Sequence, residues 1–170
     1  MEFHFDNYSI APIHQKDAWR LCDFMVSNEA RFKQDFPGTL KQNLTPTLSE
    51  LFVENKVKSF LNKTEYLFTI KENTNRTIIG LIYVKELEKV NGQGELAYCI
   101  GYQYEGKGIT TTSVSRLKSW AFNDLKLHTL QIFAHQTNTA SIRIAEKNGF
   151  TFQRVVKKIH TRYIPSSKKS

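Results

Sequence analysis

Hydrophobic residues change their spacing several times along the first 64 residues of this chain. Loose alternation of apolar and polar positions is typical of a strand, and apolar steps of three and four residues are typical of a helix. A Pro-Gly pair usually marks a turn. These rules predict a strand over 3–13 that ends near Pro12, a helix over 17–28, an irregular loop over 31–43 that holds Pro37-Gly38, and a second helix that begins at Thr47 or Ser49.

The middle of the chain is a series of short strand-like runs. Turn signals, Asn73-Thr-Asn75 and Asn91-Gly92-Gln93-Gly94, separate them. Short connections of this kind join neighbouring antiparallel strands. We therefore predict an antiparallel meander of three strands, over 65–71, 77–88 and 95–101.

The last third of the chain returns to mixed patterns. A helix is predicted over 109–125, a buried strand over 129–134, a short helix over 138–148 and a further strand over 150–159. Asn138 is a natural N-cap, and Gly149 is a natural residue to follow a helix end. The passage over 95–134 reads as strand, helix, strand, which is a parallel crossover. The predicted class is a single α/β or α+β domain with a mixed sheet.

Composition adds few constraints. A chain of 170 residues with 40% hydrophobic and 24% charged residues suits one globular domain. No secretory signal pattern is visible at the start, and no apolar run is long enough to span a bilayer. The two cysteines, Cys22 and Cys99, are expected to be free thiols, and no Cys/His cluster has metal-ligand spacing. We expect a cytoplasmic protein without a metal.

The charge of the chain is concentrated in one half. Residues 1–90 hold 12 Lys/Arg and 12 Asp/Glu, whereas residues 91–170 hold 12 Lys/Arg and 4 Asp/Glu. The whole formal excess of +8 therefore lies in the second half. This excess indicates either an anionic ligand or partner, or a solubilising face with a basic tail.

Residues 103–108 of that basic half read Gln-Tyr-Glu-Gly-Lys-Gly, between a predicted strand and a predicted helix. Two glycines one residue apart let the backbone turn tightly and approach a ligand. The helix that follows offers unpaired N–H groups and the positive end of its dipole. The loop is therefore a candidate phosphate site.

Two nucleotide motifs fit this loop poorly. A dinucleotide fingerprint needs a third glycine where the chain has Thr111, and no acidic residue ends the next strand. A mononucleotide loop would need a Ser or Thr at Gly108 to hold Mg²⁺, and no later strand ends in the second metal-holding aspartate.

A third pattern, Gln/Arg-x-x-Gly-x-Gly/Ala, matches at Gln103, Gly106 and Gly108. It resembles the acetyl-coenzyme A pyrophosphate loop of the GNAT N-acetyltransferase superfamily. A second segment, residues 138–150, resembles the family's Asn-x-x-Ser…Glu-Lys-x-Gly-Phe segment. The resemblance implies a GNAT fold, with a mixed, mostly antiparallel sheet of about six to seven strands and about four flanking helices. We expect this domain over 1–164, with a frayed basic tail over 165–170.

Within the superfamily, Asn138-x-x-Ser141 resembles the RimJ/RimL branch, which acetylates the N-termini of ribosomal proteins. Many GNAT enzymes have a tyrosine just before the Glu-Lys pair, placed to protonate the leaving thiolate. This chain has Ala145 there, and the resemblance offers Ser141 as the substitute.

The resemblance also implies which residues bind and react. Glu95 is the candidate base, directly or through water, and the alternative for it is a solvated carboxylate at a strand edge. Ser141 is the candidate contact for the leaving sulfur, and the alternative for it is an ordinary small polar residue at the third position of the helix. The predicted coenzyme A contacts are Cys99 and Ile100 at the end of the strand, Gln103, Glu105, Gly106, Lys107, Gly108, Ile109 and Thr110 in the loop and first helical turn, and Asn138, Ser141 and Lys147 on the later helix.

The function that follows is acetyl-coenzyme A-dependent acetylation of a primary amine, with no metal. The expected acceptor is a protein N-terminal α-amine, and the net charge suits an acidic protein partner better than a polyamine. A small-molecule amine, such as an aminoglycoside or amino acid, is the enzymatic alternative. A non-catalytic module that binds an anion or nucleic acid is the other alternative. Against it, the basic residues of this chain are not interleaved with aromatic residues, as they are in nucleic-acid recognition patterns. A monomer or a homodimer is expected.

Overall fold

An eight-stranded sheet is the centre of the computed structural model, which describes residues 1–155 and 159–163. The strands are β1 Phe3–Phe5, β2 Tyr8–Pro12, β3 Tyr66–Glu72, β4 Ile78–Glu88, β5 Gln93–Ile100, β6 Thr129–Ala134, β7 Thr151–Val155 and β8 Ile159–Tyr163. They stand side by side in the order β1-β2-β3-β4-β5-β6-β8-β7. Every neighbouring pair is antiparallel except β5 and β6, which are parallel.

Helices cover both faces of this sheet because its strands alternate apolar side chains to the two sides. The helices are α1 Ala18–Ser27, α2 Glu29–Asp35, α3 Pro37–Lys41, α4 Pro46–Leu61, α5 Ile109–Asn123 and α6 Thr139–Lys147. Along β3, Tyr66, Phe68 and Ile70 pack in one buried cluster with α5, whereas Leu67 packs in a second cluster with α1, α2 and α4.

The mixed-sheet class, the meander and the parallel crossover are confirmed. β3, β4 and β5 pair in sequence order, and α5 connects β5 to the parallel strand β6. The described residues hold eight strands and six α-helices, somewhat more than the six to seven strands and four helices expected. The extra strands come from the two ends of the chain. The predicted strand over 3–13 is a hairpin, with Asp6 at φ +49° in its turn, and the predicted strand over 150–159 is β7 followed by the start of β8.

The prediction of an irregular loop over 31–43 is wrong. These residues form most of α2 and all of α3, and Pro37 occupies the first turn of α3. Proline is tolerated at a helix start because the N–H group that it lacks has no helical partner there. Pro37-Gly38 therefore begins a helix in this chain, and α2 and α3 cover the sheet beside β5.

No helix in the described part of the chain is long and apolar enough to cross a membrane. A cytoplasmic location, the 1–164 domain boundary and the oligomeric state stay predictions. The predicted basic tail over 165–170 lies outside the described residues.

Candidate functional site

The site begins where β5 and β6 separate. The two strands pair only from Gln93 to Glu95 with Thr129 to Gln131, yet β5 continues to Ile100 and β6 to Ala134. A gap therefore opens in the middle of the sheet, beyond the last parallel pair.

Main-chain groups of β5 point into this gap. The Gly101 N–H donates to the Ile79 oxygen of β4 at 2.8 Å, whereas the Ile100 carbonyl accepts from Arg31 at 3.3 Å. Because bonded and non-bonded positions alternate along an antiparallel strand, the main-chain groups of Tyr98 and Ile100 face the gap, and those of Cys99 face β4. The gap thus offers peptide groups that a bound amide chain could contact.

Three cavities follow one another through the gap. The sheet cavity, about 360 Å³, lies between α2–α3 and the strands and includes Glu95, Tyr98, Asn138 and Ser141 in its lining. The linking cavity, about 40 Å³, shares Tyr98, Asn138 and Ser141 with it. The loop cavity, about 240 Å³, shares Ile100, Glu105, Thr110, Ala140 and Ile144 with the linking cavity and is also lined by Gly106, Gly108, Ile109, Arg143 and Lys147.

The glycine loop forms an open cradle at the outer end of this series. Gly106 and Gly108 have φ of +73° and +76°, and a Cβ atom built on either would meet no atom within 4 Å. Gly108 precedes α5, whose first turn has no side-chain cap. The N–H groups of a first helical turn have no partner within the helix. Ile109, Thr110 and Thr111 of this turn line the loop cavity, and Arg143 and Lys147 of α6 line its other wall.

Arg31 of α2 connects the loop to the strand end. Its guanidinium binds the carboxylate of Glu105 and donates to the Ile100 carbonyl. The side chain of Glu105 is therefore held on the α2 side of the linking cavity. Sequence reasoning missed Arg31 because it placed that segment in a loop.

Asn138 and Ser141 lie where the linking and sheet cavities meet. The Asn138 Oδ1 accepts from the Ser141 N–H at 3.1 Å and caps α6, as predicted. The Tyr98 hydroxyl donates to the Ser141 carbonyl at 2.9 Å and so fixes the first turn of α6 to β5. Burial raises the pKa of Tyr98 to about 12, so this hydroxyl stays protonated at neutral pH.

Three other predicted contacts, Gln103, Lys107 and Cys99, have surroundings that differ from one another. Gln103 lines a separate side cavity of about 370 Å³ between α1 and the start of β4, and its Nε2 donates to the Tyr102 hydroxyl. The Lys107 ammonium lies 5.4 Å from the centre of the Tyr104 ring. Cys99 lines the linking cavity, but burial raises the pKa of its thiol, so the reactive thiolate is disfavoured.

The sheet cavity carries charges of both signs. Glu95 is half-buried on β5, and Asp35 faces the same cavity from the end of α2. Lys56 pairs with Glu65 at 2.6 Å, and Lys85 lies 5.2 Å from the centre of the Tyr83 ring. The two candidate catalytic residues, Glu95 and Ser141, therefore line one cavity, and Ser141 also lines the passage to the glycine loop.

Tyr98 and Arg143, like Arg31, were not foreseen from the sequence. Tyr98 contacts Ser141 across 43 positions of the chain, so no local pattern could indicate the pair. Arg143 had an available signal, because it stands one helical turn before Lys147 on the same face of α6.

Residues 9–151 match the sequence model of the acetyltransferase (GNAT) domain. A relative from Bacillus subtilis, named "Putative ribosomal N-acetyltransferase YdaF", is 26% identical over 147 residues, which cover 85% of this chain and 78% of that protein.

Solved structures share the same fold. The ribosomal-protein-S5-alanine acetyltransferase of Vibrio fischeri superposes with a TM-score of 0.90 at 19% identity and covers all of both chains. RimL, a ribosomal L7/L12 alpha-N-protein acetyltransferase crystallised with coenzyme A, has a TM-score of 0.88 at 14% identity and covers 96% of this chain and 98% of its own. At these identities the similarity establishes a common architecture.

Proposed function

This chain belongs to the acetyltransferase (GNAT) domain family, and we propose that the amine it acetylates is a protein N-terminal α-amine. The enzyme is an N-acetyltransferase that uses acetyl-coenzyme A as its donor. The proposal for the acceptor rests on one observation, the junction of cavities at Ser141. There the passage from the glycine loop opens into a cavity that also contains Glu95.

The donor is proposed to lie along the cavities that lead inward from the glycine loop. The pyrophosphate would take the N–H groups at the start of α5, with Arg143 and Lys147 supplying positive charge. The pantetheine amides would contact the main chain of Tyr98 and Ile100 in the gap. This placement brings the thioester to Asn138 and Ser141.

Glu95 and Ser141 are proposed to handle the two protons of the reaction. Glu95, directly or through a water, takes the proton that leaves the attacking amine nitrogen. The new C–N bond forms as the C–S bond breaks, and the Ser141 hydroxyl gives the departing sulfur a proton. Ser141 then regains a proton from solvent water, and Glu95 releases to solvent the proton that it took from the amine. Each such proton transfer typically contributes about 10²–10⁴-fold in rate.

An α-amine suits catalysis by Glu95 and Ser141 better than the amine of a lysine side chain does. Its pKa is about 7.7–8.0, whereas that of a lysine is about 10.4, so a larger fraction of it is already neutral near pH 7 and its deprotonation asks less of the base. The volume of about 360 Å³ is at the lower end of ligand sites and suits the first residues of a chain. The names of YdaF and RimL support the same choice.

An acceptor screen read by thiol release tests this proposal. The panel contains peptides with a free N-terminus, the same peptides with a blocked N-terminus and an internal lysine, spermidine and an aminoglycoside. We expect release only with free N-termini and, by mass spectrometry, acetyl on the α-nitrogen. Turnover of the small amines without turnover of any peptide would refute the choice of acceptor.

A further inference from the structure

We infer that Lys85 binds an acidic group of the acceptor and makes the enzyme prefer N-terminal sequences with Asp or Glu at the second residue. The inference rests on the proposed function, because it concerns a peptide in the sheet cavity. It adds a specificity-determining residue that neither the glycine loop nor the α6 motif indicates.

Lys85 lies directly beside the candidate base. It is the partner of Glu95 in the antiparallel register of β4 and β5, and both residues line the sheet cavity. Side chains that face each other in such a pair have Cβ atoms about 4.5–5.5 Å apart and project from the same face of the sheet. A group bound at Lys85 is therefore a near neighbour of an amine bound at Glu95.

The charge of Lys85 is available to a ligand. Of the two lysines that line the sheet cavity, Lys56 is held by Glu65 at 2.6 Å. Lys85 lies over the face of Tyr83, and within residues 1–155 and 159–163 no carboxylate oxygen comes within 4.0 Å of its ammonium. A ring face leaves the ammonium donors free to point elsewhere, so Lys85 can bind a carboxylate without first breaking an ion pair.

The spacing of the two charges selects a particular ligand. The amine end is attracted by Glu95, and by Asp35 on the α2 wall, while Lys85 attracts a carboxylate beside it. Consecutive Cα atoms of a peptide are about 3.8 Å apart, so a side-chain carboxylate on the second residue reaches the neighbouring strand position. A lysine at the same place would face Lys85 and be repelled.

A peptide series separates this effect from the net charge of the protein. The wild-type enzyme is saturated with acetyl-coenzyme A, and kcat/KM is measured for peptides that begin Ser-Glu, Ser-Gln and Ser-Lys and are otherwise identical. We expect Ser-Glu to exceed Ser-Gln by about tenfold, because one partly solvated, charge-assisted hydrogen bond is gained. Lys85→Gln should reduce this ratio to near one, and Lys85→Glu should favour Ser-Lys.

Lys58→Gln is the matched control, since it removes the same charge from an exposed lysine of α4 that pairs with Glu54 at 3.3 Å and does not line the sheet cavity. It should keep the tenfold ratio. A thermal shift with acetyl-coenzyme A confirms that each variant is folded and binds the donor. This inference alone is overturned if kcat/KM for peptides does not depend on the second residue. It is also overturned if the ratio of Ser-Glu to Ser-Gln is the same in the wild type and in Lys85→Gln. A wild-type enzyme that acetylates small amines and no peptide overturns the proposed function as well.

Discussion

A charge placed at Gly106 should remove most of the thermal stabilisation that acetyl-coenzyme A gives. The two variants to compare are Gly106→Asp and Gly106→Asn, which have nearly the same shape and differ by one negative charge. Asn and Asp are the side chains best tolerated at positive φ. Since a Cβ at Gly106 meets nothing within 4 Å, both variants should fold, at a shared cost of about 1–2 kcal/mol for the left-handed backbone.

The size of the effect follows from the open, solvent-facing cradle. Two unit charges about 5 Å apart at an effective dielectric constant of about 20 repel by about 3 kcal/mol. Solvent screening at this exposed position reduces that to about 2 kcal/mol, or roughly a 30-fold loss of affinity. Asn adds no charge, and its affinity should stay within a few-fold of the wild type.

The assay is a thermal melt with and without acetyl-coenzyme A at a concentration 100 times its Kd for the wild type. At that concentration the ligand stabilises by about 2.7 kcal/mol, which for a domain of this size is about 5–10 °C in Tm. A 30-fold weaker site retains about 0.9 kcal/mol, or about 2–3 °C. Equal shifts in the Asp and Asn variants would refute the assignment of the pyrophosphate to the glycine loop.

Two further predictions concern the junction between the cavities. Ser141→Ala should lower kcat by about 10²-fold while leaving the Kd of acetyl-coenzyme A nearly unchanged. Ser115 is an exposed serine on α5, and the control Ser115→Ala should change neither kcat nor Kd. Full activity in Ser141→Ala would remove that hydroxyl from the mechanism. Burial raises the pKa of Tyr98 from its ordinary value of 10.0 to about 12. The neutral hydroxyl therefore favours the folded state below pH 10, and this contribution to stability is lost as the pH rises from 10 to 12. Urea unfolding over that range should show a smaller fall in stability for Tyr98→Phe than for the wild type, and identical pH profiles would contradict the burial argument.

Local patterns were sufficient for most of the secondary structure. β6 was predicted over its full length at 129–134, and α6 to within one residue at each end, because an N-cap residue and a glycine mark its limits. They failed at Pro37-Gly38, since the same pair suits a turn and a helix start and only packing against the sheet decides between them.

The candidate site was predictable only in part. The glycine loop and the segment that begins at Asn138 are contiguous motifs, and both line the series of cavities. Arg31 and Tyr98 contact residues that are distant in sequence, and Lys85 stands opposite Glu95 on the neighbouring strand. Finding them therefore requires the path of α2 and the register of β4 with β5. The side chain of Gln103, which belongs to the motif, lies in a different cavity.

Because β5 separates early from β6, amide exchange along β5 can show whether the donor site is occupied. The amides of Ala97 and Cys99 belong to the ladder with β4, whereas those of Tyr98 and Ile100 lie on the side where β6 has turned away. Deuterium should therefore enter at alternate residues of one strand, quickly at Tyr98 and Ile100 and slowly at the two others. A donor bound in the gap would slow only the fast pair, so amide exchange along residues 97–100 would report whether the donor site is occupied without a probe attached to the protein.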